Sequence, residues 1–560
     1  MNMVAEVLDS IKENINTALT NAKAEGKINF VSIPDFVVEV PREKQHGDFA
    51  TNVAMLLTKE AKLPPREIAK LIVQFFPADN QYVAGLDIAG PGFINFKLNN
   101  SWLYQVVPEI INKRETYGNI DLGKGTKVQV EFVSANPTGL LHMGNARGAA
   151  LGDSIANLLK AAGYDVEKEF YINDAGNQIE NFAKSLEARY LQLLGQDVPF
   201  PDEGYHGEDV IDTVKLFADQ VGDKYLNVDA ELRREMLIKY ALDEKLNAIK
   251  NVLKDFGIEY DVWFSEQSLH DSGEIQETIE TLDERGYLYE QDGALWFKGT
   301  EFGEEKDEVV VRSNGVPTYF AADMAYHRNK FKRGFKLVIN LWGADHHGHV
   351  SRMKGAVKAL GYDPDQLEVV IMQLVRLFQG GEVLRMSKRT GTYITLSELT
   401  EEVGKDAARY FFVMRSADSH LDFDMDLAKS QSQENPVYYV QYAHARICSI
   451  LRQAAEAGLE VPGVEQVDLT LLNKPEEIEL IRKLADLPEV IGGAAQALEP
   501  SRIARYAHEL ASQFHSFYTV CRVLGDEKSI TEARLILVSA TQTVLRNVLR
   551  LIGVNAPERM

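Results

Sequence analysis

The stretch KVQVEFVSANPTGLLHMGNARGAALGDSIANLLKAAG, residues 127–163, constrains the fold more than any other part of the chain. Val128, Val130 and Phe132 alternate with the period of a strand. Asn136-Pro137-Thr138-Gly139 is turn chemistry, proline fixing φ and glycine tolerating φ > 0. Beyond Gly144, the residues Leu151, Ile155, Leu158, Leu159 and Ala162 recur at helical spacing, and Gly163 stands where a helix would be capped. A strand feeding directly into a long helix is half of a βαβ unit, the building block of a parallel sheet with helices on its faces. The alternation continues to about Asp426, so the class expected is α/β, with a polar helical insertion over about 178–255.

Two further regions flank this one. Residues 1–115 mix helices (a long amphipathic one at the start, then FATNVAMLLTKEA and PREIAKLIVQFF) with short strands, FVVEV and FINFKL. The Gly-rich, polar YGNIDLGKGTK, residues 117–127, reads as a linker to the central part, 116–430. Residues 431–560 read as helices broken at GLEVPGVEQVDLTLLNKPEE. The net charge of −23 argues against non-specific nucleic-acid binding, but it is uneven. Residues 435–560 carry 13 basic against 15 acidic side chains, so an RNA partner is admissible there. No apolar run is long enough to span a membrane. Two cysteines without a C-x-x-C pair exclude a disulfide framework and suit a reducing cytoplasm.

His142, Gly144 and Asn145 fall at the start of the expected helix, where backbone N–H groups and the helix dipole favour an anion. Gly144 would let a phosphate approach the backbone. The same residues could equally form a joint with an internally satisfied histidine. A second stretch, GGEVLRMSKRTGTYITLSEL at 380–399, puts Arg385, Lys388 and Arg389 on a loop flanked by glycines. That suits a clamp on phosphates, or simply a solvated basic turn.

The two stretches together resemble the H-I-G-H and K-M-S-K-S signatures of class I aminoacyl-tRNA synthetases, at 135–145 and 385–389, in the right order on an α/β frame. Over nearly its full length the chain is similar to the arginyl-tRNA synthetase family. The closer match lies in EFVSANPTGLLHMGNARGAALGD, YINDAGNQI, YDVWFSE, PTYFAADMAYHRNKF, WGADHHGHVSRMKGA, GKDAARYFFVMRSADSHLDFDMDLA, NPVYYVQYAHARICSIL and the ending GVNAPERM. Asn145 replaces the final histidine of the first signature, and Arg385 and Arg389 stand at the ends of the second. Some arginyl enzymes lose the central lysine and place another before the first histidine. Here Gly139, Leu140 and Leu141 occupy that place, so Lys388 is expected to carry the charge.

The resemblance implies a Rossmann-like parallel-sheet catalytic domain, an N-terminal α+β accessory domain touching the outer corner of tRNA, and a C-terminal all-α anticodon-binding domain. It implies ligation of L-arginine to tRNA(Arg) through an arginyl-adenylate, with ATP and Mg²⁺ and no structural metal, by a cytoplasmic monomer. His142, Asn145 and Lys388 would be catalytic. Gly144, His347, Met386 and Ser387 would join them around ATP. Asp323 and Glu266 would bind the guanidinium under Tyr319, and Asn136, helped by Glu131, the α-amino group. An arginine side chain is a permanently charged planar fork, which carboxylates of fixed geometry hold best. Asp174 and Gln178 either line that site or cap a helix. Asp345, His346, His347 and His349 could be read as a metal cluster, but no further ligand motif accompanies them. Tyr438, Tyr439, Tyr442, Tyr506, Phe514, Phe517 and Tyr518 are core for the most part, with a few available to stack anticodon bases. Competing readings are another class I synthetase, a small nucleotidyltransferase, or a catalytically silent tRNA-binding relative. Intact His142, Gly144 and Lys388 argue against the last.

Overall fold

Five parallel strands carry the centre of the computed structural model, which describes residues 3–41, 43, 46–384, 394–525 and 527–560. In chain order they are β1 (Lys127–Glu131), β2 (Asp165–Ile172), β3 (Val262–Ser265), β4 (Leu337–Gly343) and β5 (Leu367–Met372). Their spatial order is β5-β4-β1-β2-β3. The order reverses between β1 and β4, and ligands of such sheets bind outside the carboxyl ends of the strands at that switch point. β1 is buried on both faces, so Gln129 and Glu131 are as enclosed as the alternating valines. That is the mark of a parallel strand covered on each side.

The crossover from β1 to β2 is α1 (Met143–Ala161), almost wholly buried. A Cβ on its Gly152 would lie 2.2 Å from Phe132 Cγ, so only glycine lets the helix rest on the strand end. Gly163 follows the helix at φ +87°. The residues read as a linker are pinned there: the N–H groups of Ile120, Gly123 and Gly125 bond to the carbonyls of Ala161, Ala162 and Gly163. They cap α1, so the glycines serve close packing as well as a turn.

Between β2 and β3 lie α2 (Asn177–Leu193), α3 (Glu208–Val221) and α4 (Ala230–Asp255). They enclose a small core of their own around Phe182, Leu186, Tyr190 and Phe217. A three-stranded antiparallel sheet (288–311) precedes α5 (Tyr319–Lys332), which leads into β4. α6 (His349–Ala359) joins β4 to β5. A hairpin, β6 (Val375–Gln379) and β7 (Glu382–Leu384), comes next, followed by α7 (Leu396–Val403), α8 (Lys405–Val413) and β8 (Leu421–Asp424), which pairs with β6.

The N-terminal residues fold as a helix, Met3–Ala24, over a four-stranded antiparallel sheet. FATNVAMLLTKEA is not one helix: Phe49–Thr51 is a central strand, and only the short helices Val53–Leu56 and Thr58–Ala61 follow. Pairing on both edges overrides the helical pattern. The C-terminal helices α9 (Pro436–Glu456), α10 (Pro475–Ala485), α11 (Leu487–Ala497), α12 (Ser501–Val520) and α13 (Lys528–Leu551) reach both other regions. Arg482 pairs with Asp48, and the Tyr410 hydroxyl donates to the Ala504 carbonyl.

Candidate functional site

At the β1 end of the switch point, Glu131 closes the strand and the backbone turns through two left-handed residues, Val133 (φ +69°) and Ser134 (φ +39°). A β-branched residue there is strained, so something must hold the turn. Glu131 does so: one carboxylate oxygen accepts from Ser134 Oγ at 2.9 Å, and the other from Lys330 Nζ at 2.6 Å. Exposed Asn136 then donates to Gln178 Oε1 at 2.7 Å.

His142 is the N-cap of α1. Its Nδ1 accepts from the Gly144 N–H at 3.0 Å, and Asn145 Oδ1 accepts from the His142 N–H at 3.1 Å. The Met143 and Asn145 N–H groups are taken by the carbonyls of Ile394 and His142. The helix start is therefore not an open row of backbone donors, as its sequence suggested. A ring that accepts at Nδ1 carries its proton on Nε2, so the side-chain donors at this terminus are His142 Nε2 and Asn145 Nδ2. Gly144 is needed by the protein itself, because a Cβ there would lie 2.8 Å from the imidazole Cε1.

Arg385, Met386, Ser387, Lys388 and Arg389 lie outside the described residues, but the chain on either side is fixed to α1. Downstream, Ile394 and Leu396 bond to the backbone of Met143 and Leu141, and Thr395 pairs with His142. Upstream, the buried Arg147 guanidinium donates to the Gln373 carbonyl (2.7 Å) at the base of the β6–β7 hairpin and to the Ser416 carbonyl (2.8 Å). Burial pulls that guanidinium down to about 10.

The other side of the crevice is acidic. Glu266, at the end of β3, is only 4% exposed and lies beside the Tyr171 hydroxyl. Burial pushes its carboxyl up to about 7. Tyr171 opposes the shift, and the neighbouring charges of Asp323 and Asp174 add to it. The Tyr171 hydroxyl is held far above its ordinary value by burial and by Glu266, Asp323 and Glu131, so it stays a donor. Asp323, on α5, faces His349 Nε2 at 3.2 Å. Tyr319, one turn earlier, is 45% exposed and lies across Gly176, its hydroxyl 3.4 Å from where a Cβ would stand. Asp174 accepts from Ser265 Oγ (2.6 Å) and the Gln267 N–H (2.9 Å), bracing the turn that carries Glu266. Among the described residues, Glu266, Asp174 and Asp323 form no ion pair with a lysine or arginine.

Glu266, Asp323 and Glu131 thus converge around Tyr171, with Asn136 on the adjoining loop, while His347 stands exposed beyond the end of β4. Among the described residues no group of three or more His, Cys, Asp or Glu could hold a metal ion. Tyr171, Lys330, Asn340 and Arg147 had no role in the sequence reading, and His349, weighed there only as a possible metal ligand, instead faces Asp323. Lys330 carried a signal: it lies seven residues after Asp323, on the same helical face. In the C-terminal helices Tyr506, Phe514 and Phe517 are buried, whereas Tyr438 stacks on Tyr442 and Arg446 lies over Tyr442 and the exposed Tyr518.

A parallel sheet with donors and carboxylates gathered at its switch point fits the frame of a class I aminoacyl-tRNA synthetase, and a family model shows that class. The family model "tRNA synthetases class I (R), catalytic domain" matches residues 106–422. "Arginyl tRNA synthetase N terminal domain" matches 9–98, and "DALR anticodon binding domain" 440–560. The arginine–tRNA ligases of Moorella thermoacetica and Heliobacterium modesticaldum are 64% and 65% identical, over all of this chain and all of theirs. The chain belongs to the arginyl-tRNA synthetase family. Its fold is that of the Thermus thermophilus arginyl-tRNA synthetase structure (TM-score 0.74, 23% identity, 99% of this chain and 100% of that one). No helix among the described residues is long and apolar enough to cross a membrane.

Proposed function

We propose that, in the ATP-dependent ligation of arginine to tRNA that this enzyme catalyses, the acidic side of the crevice binds the amino acid and the α1 terminus binds the phosphates. Asp323 and Glu266 hold the guanidinium, Tyr319 covers it, and Asn136 takes the α-amino group. Glu131 contributes through the turn it holds, since both of its oxygens are engaged within the protein. The observation that carries this reading is the pair of carboxylates, Glu266 and Asp323, set around Tyr171 without a described lysine or arginine to balance them. Carboxylates crowded this way favour a cationic guest.

The arginine carboxylate attacks the α-phosphate of ATP and pyrophosphate leaves, giving arginyl-adenylate. Charge grows on the phosphate oxygens in that step, and positioned donors stabilise it. His142 Nε2 and Asn145 Nδ2 are neutral donors, and Lys388 supplies the cation. Gly144, His347, Met386 and Ser387 complete the nucleotide's surroundings. Mg²⁺ enters with the phosphates of ATP, which suits an ion that prefers substrate oxygens and water to an all-protein cage. The 2′-OH of the tRNA terminus then attacks the activated carbonyl and AMP leaves.

The division of labour follows the chain. Residues 1–115 meet the outer corner of tRNA(Arg) and 116–430 carry the chemistry. Residues 431–560 read the anticodon, with Tyr438, Tyr442, Tyr518 and Arg446 as a stacking surface. Free, buried Cys448 and Cys521 suit a reducing cytoplasm, and the enzyme is read as a monomer. Arginine-dependent ATP–pyrophosphate exchange with and without tRNA(Arg) tests the reading. No exchange under either condition would leave a tRNA-binding relative without catalysis.

A further inference from the structure

Three buried polar side chains stand in register across the carboxyl end of the sheet: Asn340 on β4, Glu131 on β1 and Glu169 on β2. Helix α5 answers each one. Arg333, just past its end, pairs with Glu169 (2.6 Å), and the Tyr326 hydroxyl donates to the same carboxylate. Lys330, with no exposed surface, donates to Glu131 Oε2 (2.6 Å) and Asn340 Oδ1 (3.0 Å), and its ammonium lies 4.2 Å from the centre of the Tyr326 ring. The Asn340 amide reaches on to His327 Nε2 at 2.8 Å.

Removing an ammonium from water is costly, and an apolar side chain of the same length would fill this space more cheaply. Lys330 also spends its donors inside the protein, so it does not serve by touching substrate. What it reaches is the strained turn. Glu131, fixed by Lys330, accepts from Ser134 Oγ, which in turn accepts from the Tyr171 N–H at 3.2 Å. Val133 and Ser134 are thereby kept left-handed, and Asn136 follows two residues later. Asp323 sits two helical turns before Lys330 on α5.

We propose that Lys330 is a positioning residue that sets the length of the amino-acid site, holding the turn that presents Asn136 at a fixed distance from Asp323. The inference rests on assigning those two residues to the two ends of arginine. A rigid span of this kind discriminates against a side chain one methylene longer, a difference an enzyme site converts into about a ten- to two-hundredfold preference.

The test is ATP–pyrophosphate exchange with tRNA present, varying arginine, homoarginine and ATP separately, for Lys330→Met, Ser134→Ala and Asp323→Asn. Lys330→Met and Ser134→Ala should each raise the arginine KM about fivefold or more and shrink the arginine-over-homoarginine preference, with the ATP KM unchanged. A merely structural lysine would lower Tm without altering that preference. Ser134→Ala removes only a hydroxyl and leaves the buried ion pair intact, so it decides the matter even if Lys330→Met does not fold. Parent arginine KM and parent selectivity in Ser134→Ala, with Asp323→Asn impaired, overturn the inference alone. An unimpaired Asp323→Asn overturns the pocket assignment and this inference with it.

Discussion

At the proposed amino-acid end of the crevice, Glu266 and Asp323 are packed against Tyr171, Asp174 and His349 within the protein itself. At the proposed phosphate end, His142 and Asn145 satisfy their own helix first with neutral side chains, and the proposed cation, Lys388, lies between segments that are both fixed to α1. The difference follows from the substrates. Arginine brings a permanent charge that a fixed counter-charge can recognise, whereas ATP brings charge that must be neutralised most strongly as pyrophosphate departs. The two ends should therefore fail differently: one in KM, the other in kcat.

The largest effect belongs to Glu266. Glu266→Gln removes a buried counter-charge from a bound cation, a loss of about 3–5 kcal/mol, or more than a hundredfold in arginine KM. Asp323 is 38% exposed at its side chain, so Asp323→Asn should cost less, about 1–3 kcal/mol. Steady-state kinetics at pH 8 with arginine and ATP varied separately check both. A shared rise in the two KM values would dissolve the separation between the ends. Citrulline, neutral and close in shape, should be rejected by the parent enzyme for the same reason.

Lys388→Ala comes next and should do the opposite, slowing activation about a hundredfold or more with little change in arginine KM, the scale of a lost transition-state donor. Single-turnover exchange separates the two quantities. Near-normal activation would mean that Arg385 or Arg389 supplies the charge.

A smaller effect, about tenfold per pH unit at most, sharpens the comparison from the acidic side. With the Glu266 carboxyl pushed up to about 7, the free enzyme holds a proton there that a guanidinium must expel. Arginine affinity should therefore rise with pH up to about 7 and then level off, and Glu266→Gln should flatten the profile. The sign for folding is reversed. The folded state takes up a proton between the ordinary carboxyl value and about 7, so this group's contribution to stability is greatest at low pH and falls as pH rises through 7. Glu266→Gln should raise the Tm of the free enzyme at pH 8 while crippling arginine binding. A pH-independent arginine affinity in the parent would show that Glu266 is ionised before the substrate arrives.

What was legible in the sequence follows the same division. The β1–turn–α1 unit could be read because alternation, a Pro-Gly turn and helical spacing are all local, and His142 could be placed at its junction for that reason. Whether His142 turns inward stayed one of two open readings there, since a capping interaction competes with ligand binding for the same side chain, and the structure shows the cap. On the acidic side, Asp323 and Glu266 entered only through family resemblance. Their supports come from distant sequence: Tyr171 precedes Glu266 by nearly a hundred residues, and Lys330 reaches back to Glu131 over 199. Phe49–Thr51 was misread because a short strand between two partners has no periodicity of its own to set against a helical neighbour.

The smallest effect should leave both ends of the crevice untouched. The final residues run along α9: the Pro557 carbonyl meets His444 Nδ1 at 2.8 Å, and Arg452 donates to the Glu558 carbonyl at 3.1 Å. Just upstream the chain is clamped to the catalytic region, with Asn555 donating to Asp406 and the Ile552 carbonyl accepting from buried Arg409. Gly553 packs so tightly on that guanidinium that a Cβ would lie 2.2 Å from it. Deleting 557–560 therefore removes contacts to α9 but keeps the clamp. The buried His444 ring loses its carbonyl partner, a cost of about 1–3 kcal/mol in stability unless water enters the vacated space. Near Tyr442 and Arg446 the RNA-facing surface should loosen, raising the tRNA KM about three- to tenfold, the scale of a weakened stacking contact. Arginine and ATP KM values in the exchange reaction should stay at parent levels. Filter-based charging assays with tRNA varied measure the first quantity and exchange kinetics the second. A rise in arginine KM on truncation would mean that the tail acts through Asp406 and Arg409 on the crevice, and the independence of its two ends would have to be given up.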